Sequence, residues 1–235
     1  MEYSRKVIIF DMDKTLIQGN SWYKLNIAMG IRPDEDEILY RLGPEKEGVL
    51  SYEQWLHILA KLIVKRSHPT REDIEKVVLS YKFVDGAQKT IKALKERGYT
   101  IAIISGSFNL LVDDVSRKLG IEHGYNNTYL VFDDQDMFED VILTWDDAKY
   151  KPLLVQSICR RFGLHPKDIY YVADGDNDLE IFRETIGVAV NGPLDQDEEW
   201  KQKAKNAGEE FSQDYARNEA KHRIDRLDQL LSIVP

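Results

Sequence analysis

The chain has 235 residues, 32 basic against 41 acidic side chains and a net charge of −9. Acidity of that size argues against non-specific attraction to nucleic acid or anionic membrane surfaces. A single cysteine, Cys159, rules out an intramolecular disulfide and fits a reducing compartment. No apolar stretch approaches transmembrane length, and residues 1–6 lead straight into a strand rather than a signal peptide, so a cytoplasmic protein without a membrane partner is expected. The length suits one sizeable domain with a large insertion, or two modest domains.

The first predicted element is a buried-type strand, Val7 to Phe10, ending abruptly in Asp11-Met12-Asp13-Lys14-Thr15. Residues 17 to 83 then change to helical patterns: Trp22 to Met29, Glu35 to Leu42, Tyr52 to Val64 and Glu72 to Leu79. Ser51 with Gln54 makes a capping box, Thr70 is a plausible N-cap, and Gly43-Pro44, Gly48 and His68-Pro69 punctuate the segments. From Gly86 helix and strand alternate. A helix through Leu94 stops at Gly98, the strand Tyr99 to Ile104 follows, and Ser105-Gly106-Ser107 is expected to open a helix to about Leu119. Thr128 to Phe132 and Phe138 to Trp145 read as a hairpin around the acidic turn Asp133 to Asp136. Next come a helix beginning near Pro152, with Cys159 as a small core residue beside Val155 and Phe162, the strand Asp168 to Ala173, a helix from Leu179 and the strand Val188 to Val190. The charged tail from Leu194 shows no strand pattern and offers helices at 198–207 and 214–231. Alternation of this kind implies an α/β fold, a parallel sheet with helices on both faces.

The strand ends carry the chemistry-bearing residues. Asp11 and Asp13 lie at i and i+2 and project the same way, an arrangement that repels itself unless a cation or proton intervenes. Ser105-Gly106-Ser107 offers a hydroxyl and backbone N–H groups as an anion seat. Asp174-Gly175-Asp176-Asn177-Asp178 is a dense carboxylate cluster, and Lys151, before Pro152, is expected near a helix N-terminus where a cation is costly unless an anion joins it. Carboxylates without His or Cys partners suit a hard cation such as Mg²⁺. Asp11 is then placed to attack phosphorus and Asp13 to do acid–base work. The acidic turn Asp133 to Asp136 lacks the glycine and spacing of a calcium loop, and the five histidines are scattered. The acceptor pattern Asn126-Asn127-Thr128 is expected to stay unmodified.

These four motifs, in this order from residue 11 to residue 178, resemble the haloacid dehalogenase superfamily of phosphohydrolases, and within it the phosphoserine phosphatase branch with its helical cap. The resemblance implies a Rossmann-like core over residues 1–16 and 84–235, with 194–235 as a charged tail, and a cap over 17–83. It implies Asp11 as nucleophile, Asp13 as acid/base and Lys151 as the charge that steadies phosphate. Thr15, Ser105, Gly106 and Asn177 would contact phosphate, and Mg²⁺ would be held by Asp11, Asp174 and Asp13 through its backbone carbonyl, with Asp178 or Asn177 in support. Phosphoserine enzymes place a glutamate where Asn20 stands and an arginine where Leu59 aligns, so the leaving group is left open, with Asn20 and Trp22 as candidates to meet it. Tyr23, Tyr52 and Trp55 join them as pocket-lining or core aromatics. The expected activity is hydrolysis of a small phosphorylated metabolite by a monomer or homodimer. A phosphotransferase or mutase using the same chemistry, or a non-catalytic binding protein on the same fold, are the alternatives.

Overall fold

All four residues of the first strand, β1 (Val7–Phe10), are buried, and they alternate between two cores. Ile8 and Phe10 join one hydrophobic core, Val7 and Ile9 the other. Both faces of β1 are therefore covered, which explains an unbroken apolar run where a half-exposed strand would alternate with polar residues. The computed structural model describes residues 6–43, 49–175, 178–190 and 218–235. After β1 come α1 (Ser21–Ala28), α2 (Pro33–Leu42), α3 (Tyr52–Ser67), α4 (Arg71–Val78), α5 (Ala87–Glu96), β2 (Thr100–Phe108) and α6 (Asn109–Leu119). The chain continues with β3 (His123–Phe132), β4 (Phe138–Leu143), α7 (Asp147–Phe162), β5 (Tyr170–Ala173), α8 (Leu179–Glu184), β6 (Ile186–Val190), β7 (His222–Ile224) and a last helical turn, α9 (Leu230–Ile233).

The seven strands lie in the order β4-β3-β2-β1-β5-β6-β7. All neighbours pair in parallel except β3 with β4. From β1 the chain builds outward through β2 and β3, then returns to the other side of β1 through β5. The carboxyl ends of β1 and β5 thus flank a topological switch point, where open α/β sheets bind ligands. The expected fold class is what the structure has.

Helices α1 to α4 form the insertion between β1 and α5, and it does not stand apart from the sheet. Trp22, Leu25, Trp55, Leu56 and Leu59 share one hydrophobic cluster with Ile8, Phe10 and Phe108. The chain enters and leaves the insertion side by side: Gln18 donates its N–H to the Lys82 carbonyl at 2.8 Å, and Val84 to that of Leu16 at 3.0 Å. On its far side the α3–α4 turn is stitched to the β3–β4 hairpin, with Arg71 N–H on Asp136 O at 2.7 Å and Phe138 N–H on Pro69 O at 2.9 Å.

Three expectations need correction. Ser105-Gly106-Ser107 does not open a helix. The strand runs on to Phe108, with a register shift against β3 between Ser105 and Phe108, and α6 starts at Asn109. Lys151 is not at a helix N-terminus, because Asp146 caps α7 by accepting from Lys149 N–H at 3.3 Å, which leaves Pro152 inside the helix. The tail does contribute a strand: His222–Ile224 extends the sheet beside β6. Among the described residues of the expected helix 214–231, 218–219 and 230–231 are α-helical, the last turn running on to Ile233, and 198–207 lies outside the described residues. A three-residue edge strand is too short to show a period of two, so its signal lies in the partner strand.

Candidate active site

Each aspartate of the first motif is fixed by backbone before any side chain is considered. Asp11 N–H donates to the Val172 carbonyl at 2.9 Å, which prolongs the β1–β5 pairing by one residue. The chain then coils once: Leu16 and Ile17 N–H both reach the Met12 carbonyl, at 2.8 and 3.1 Å, and Lys14 adopts φ 56°. That turn buries Met12 and brings Asp11, Asp13 and Thr15 to the same mouth. The Thr15 hydroxyl lies 3.5 Å from Asp11 Oδ2.

Lys151 reaches this mouth from α7 and is 1% exposed. Its ammonium lies 2.8 Å from Asp11 Oδ1 and 2.8 Å from Asp178 Oδ1. Lys149, two residues earlier, instead leans over the Tyr150 ring at 5.5 Å. Asp178 also accepts the Tyr171 hydroxyl at 2.6 Å. Asp178, expected to support the metal, here orients the lysine through its Oδ1. Tyr171 was not anticipated, because its only sequence signal is a tyrosine in a buried strand.

Burial dominates the electrostatics. It pushes the Asp11 carboxyl well above the usual range against the pull of the Lys151 ammonium, with Asp178 and Asp174 adding to the rise. It raises Asp13 as well, opposed by two hydrogen bonds from Ser21. Asp174, at the end of β5, is pushed up to about 6 by burial and by the neighbouring Asp178 and Asp13, with Lys14 and Lys151 opposing. Three carboxyls raised together, chiefly by burial, make their charged forms costly here. Asp13 Oδ1 is also buried with no partner among the described residues. An all-oxygen donor set suits a divalent hard cation, so Asp11 and Asp174 fit Mg²⁺ by chemistry, although the described residues do not bring three ligating side chains together. Asp174 and the Asp11 oxygen not held by Lys151 would supply the carboxylates.

The insertion reaches the same place through α1 and α3. Ser21 donates its N–H at 3.0 Å and its hydroxyl at 2.6 Å to Asp13 Oδ2. Its oxygen also lies 2.8 Å from that of Ser107. Trp22 Nε1 and the Tyr52 hydroxyl both donate to the Gly106 carbonyl, at 3.0 and 3.4 Å, and Asn127 Nδ2 donates to Tyr52 Oη at 3.2 Å. Ser105 Oγ accepts the Ser107 N–H at 3.2 Å. Asn20, the candidate to meet the leaving group, is exposed, and its side-chain oxygen caps α1 by accepting from Tyr23 N–H at 2.9 Å. Trp22 is 7% exposed and packs edge-on against Trp55 and Phe108, so it meets the cleft by one edge only. Leu59 is completely buried in the shared core. Asn177 lies outside the described residues. Sequence reading missed Ser21, its contact with Ser107 and the Tyr52–Asn127 contact. The serine directly after a helix N-cap was the one available hint.

Comparison with known proteins agrees with this arrangement. Residues 5–184 match the family model of the haloacid dehalogenase-like hydrolases. The chain is 31% identical over 186 residues to a phosphoserine phosphatase of Methanocaldococcus jannaschii, covering 78% of this chain and 83% of that one. It is 28% identical over 188 residues to a phosphoserine phosphatase of Archaeoglobus fulgidus, covering 80% of this chain but about half, 53%, of that protein. A solved phosphoserine phosphatase, a phospho-aspartyl intermediate analogue, superposes with a TM-score of 0.74 at 23% identity, covering 98% of this chain and 99% of that chain, a likeness of fold. The chain belongs to the haloacid dehalogenase-like hydrolase family. It is an enzyme of the phosphatase class, with phosphoserine phosphatases as its similar curated relatives.

Proposed function

We propose that the protein is a Mg²⁺-dependent phosphomonoester hydrolase that works on a small phosphorylated metabolite through an aspartyl-phosphate on Asp11. The observation that carries this is the Asp11 carboxylate held 2.8 Å from the almost fully buried Lys151 at the sheet's switch point, with Asp13 two residues on. Asp11 attacks phosphorus as the bond to the alcohol oxygen breaks, and Asp13 gives that oxygen its proton. Water then attacks the acyl phosphate and returns a proton to Asp13, which frees Asp11 and phosphate. Lys151 and the Ser105 hydroxyl hold the phosphoryl oxygens, with Thr15 beside Asp11 and the Gly106 backbone completing the seat. Asp11, Asp174 and the Asp13 carbonyl would hold Mg²⁺, which when bound neutralises phosphoryl charge.

Residues 17–83 act as the cap over this site and residues 1–16 and 84–235 as its core. The relatives' names make phosphoserine the first substrate to test. Asn20, exposed and engaged as an N-cap, and Leu59, wholly buried, supply no charge for the amino and carboxylate groups of serine. We therefore expect phosphoserine to be outperformed by another small monoester in a panel assayed for phosphate release with Mg²⁺. Preference for phosphoserine across the panel would overturn that expectation. Asp11→Asn should lower turnover of an aryl phosphate by at least about 10³-fold while the fold is kept. A variant as active as the wild type would remove Asp11 as the nucleophile.

A further inference from the structure

The contacts between the insertion and the first motif form a chain with a direction. Asp13 Oδ2 accepts twice from Ser21, from the backbone N–H at 3.0 Å and from the hydroxyl at 2.6 Å. A hydroxyl has one proton to donate. With that proton committed to Asp13, the 2.8 Å contact between the two serine oxygens must be donated by Ser107. Ser107 in turn has no second proton for a phosphoryl oxygen, so that contact falls to Ser105. An oxygen that already accepts two hydrogen bonds is a poor place for a further proton. The other oxygen, Asp13 Oδ1, is buried without a partner among the described residues. Ser21 is 6% and Ser107 1% exposed, so bulk water does not compete for these bonds.

We propose that Ser21 is a positioning residue for the acid–base carboxyl: the relay from Ser107 to Ser21 to Asp13 clamps Oδ2 and leaves Oδ1 as the oxygen that carries the transferred proton. This rests on the phosphatase reading above. In the first half-reaction Asp11 forms its bond to phosphorus, the bond from phosphorus to the alcohol oxygen breaks, and the proton on Asp13 Oδ1 moves to that oxygen. In the second, water forms the new bond to phosphorus, its proton goes to Asp13 Oδ1, and the bond from phosphorus to Asp11 breaks. Ser107 lies on β2 and Ser21 opens the first helix of the insertion. The relay is complete only while the insertion sits on the core, so seating the insertion and aligning the acid are one event.

The test compares two aryl monoesters in single-turnover release of the alcohol by the Mg²⁺-loaded full chain. Phenyl phosphate has a leaving group that needs a proton, and para-nitrophenyl phosphate has one that departs readily without it. General acid–base help is commonly worth about 10²–10⁴-fold, so Ser21→Ala is expected to slow phenol release at least about tenfold and para-nitrophenol release by less than about threefold. Ser107→Ala should shift the ratio in the same direction by a smaller factor, and Ser21→Thr, which keeps the hydroxyl, should restore it. Equal losses on the two esters, or a threonine variant that folds without restoring the ratio, would overturn the relay. If Ser21→Ala does not fold, Ser107→Ala alone decides, and an unchanged ratio there overturns the proposal. A wild-type protein that cleaves neither ester would instead overturn the phosphatase reading on which the relay stands.

Discussion

Asp11 and Asp174 stand at the ends of strands paired on both sides, whereas Ser21, Trp22 and Tyr52 reach the same cleft from helices that touch it through a few side-chain hydrogen bonds. The first group is placed by backbone ladders that cannot shift one residue without moving a whole strand. The second is placed by helix packing on the shared core and by side-chain hydrogen bonds across the cleft. Charge is divided in the same way. The sheet side supplies Asp11, Asp174, Asp178 and Lys151, and the insertion brings neutral donors, Ser21 to Asp13 and Trp22 and Tyr52 to the Gly106 carbonyl. A charged half set by strands and a neutral half set by helices suit a reaction in which phosphate chemistry is constant and the leaving group varies.

Lys151→Ala should break that division most severely. It leaves Asp11 and Asp178 facing each other in a buried site, and loss of one partner from a buried pair typically costs about 3–5 kcal/mol. A denaturant titration should show that loss together with collapse of activity, whereas a near-neutral change would mean that the carboxyls are solvated after all. Leu59→Ala probes the insertion. The side chain is fully buried, and truncation of this kind costs about 2–5 kcal/mol. Because the insertion shares its core with the sheet, a single cooperative unfolding transition is expected, and two separate transitions would show that the halves unfold independently.

Asp174 gives a smaller effect with a definite sign. Its folded pKa, about 6, lies above the ordinary carboxyl value, so its contribution to stability is full below the unfolded pKa and is lost as pH rises through about 6. The metal-free protein should therefore melt at lower temperature at about pH 7.5 than at about pH 5 in respect of this group, and added Mg²⁺ should raise the melting temperature more at the higher pH, since ligands must be deprotonated to bind. A Mg²⁺ effect that grows on acidification would contradict the assignment. The smallest signal is Cys159, buried on α7 with its thiol pushed up to about 11 by burial. Thiol labelling at neutral pH should be slow in the native protein and fast in denaturant. Equally slow labelling with and without Mg²⁺ would place the moving parts in the insertion, away from α7.

Much of the half set by strands was legible in sequence, because strand ends that carry acids are local patterns: Asp11-Met12-Asp13 after an apolar run, and Asp174 after another. The family resemblance added order and roles. The half set by helices was not legible in the same way. Ser21 and Ser107 are 86 positions apart, and nothing local marks their contact. The serines at 105 and 107 carry the residue type of a helix cap but sit in a strand with a register shift, because the edge of β3 continues to pair with β2 as far as Phe108. Lys151 was found by chemistry and misplaced by its proline, since the cap that sets the helix start is Asp146, five residues earlier. The strand at His222–Ile224 exists because β6 offers it an edge.

The neighbouring entry and exit of the insertion, joined through Gln18 to Lys82 and Leu16 to Val84, have an evolutionary consequence. To the sheet, everything between those two points is a loop whose ends already meet. Lengthening such a loop is inexpensive in conformational entropy, about 0.6 kcal/mol for each doubling. One set of helices can therefore be exchanged for another without re-registering a strand, so a lineage can renew what it accepts as substrate while inheriting its phosphate chemistry intact.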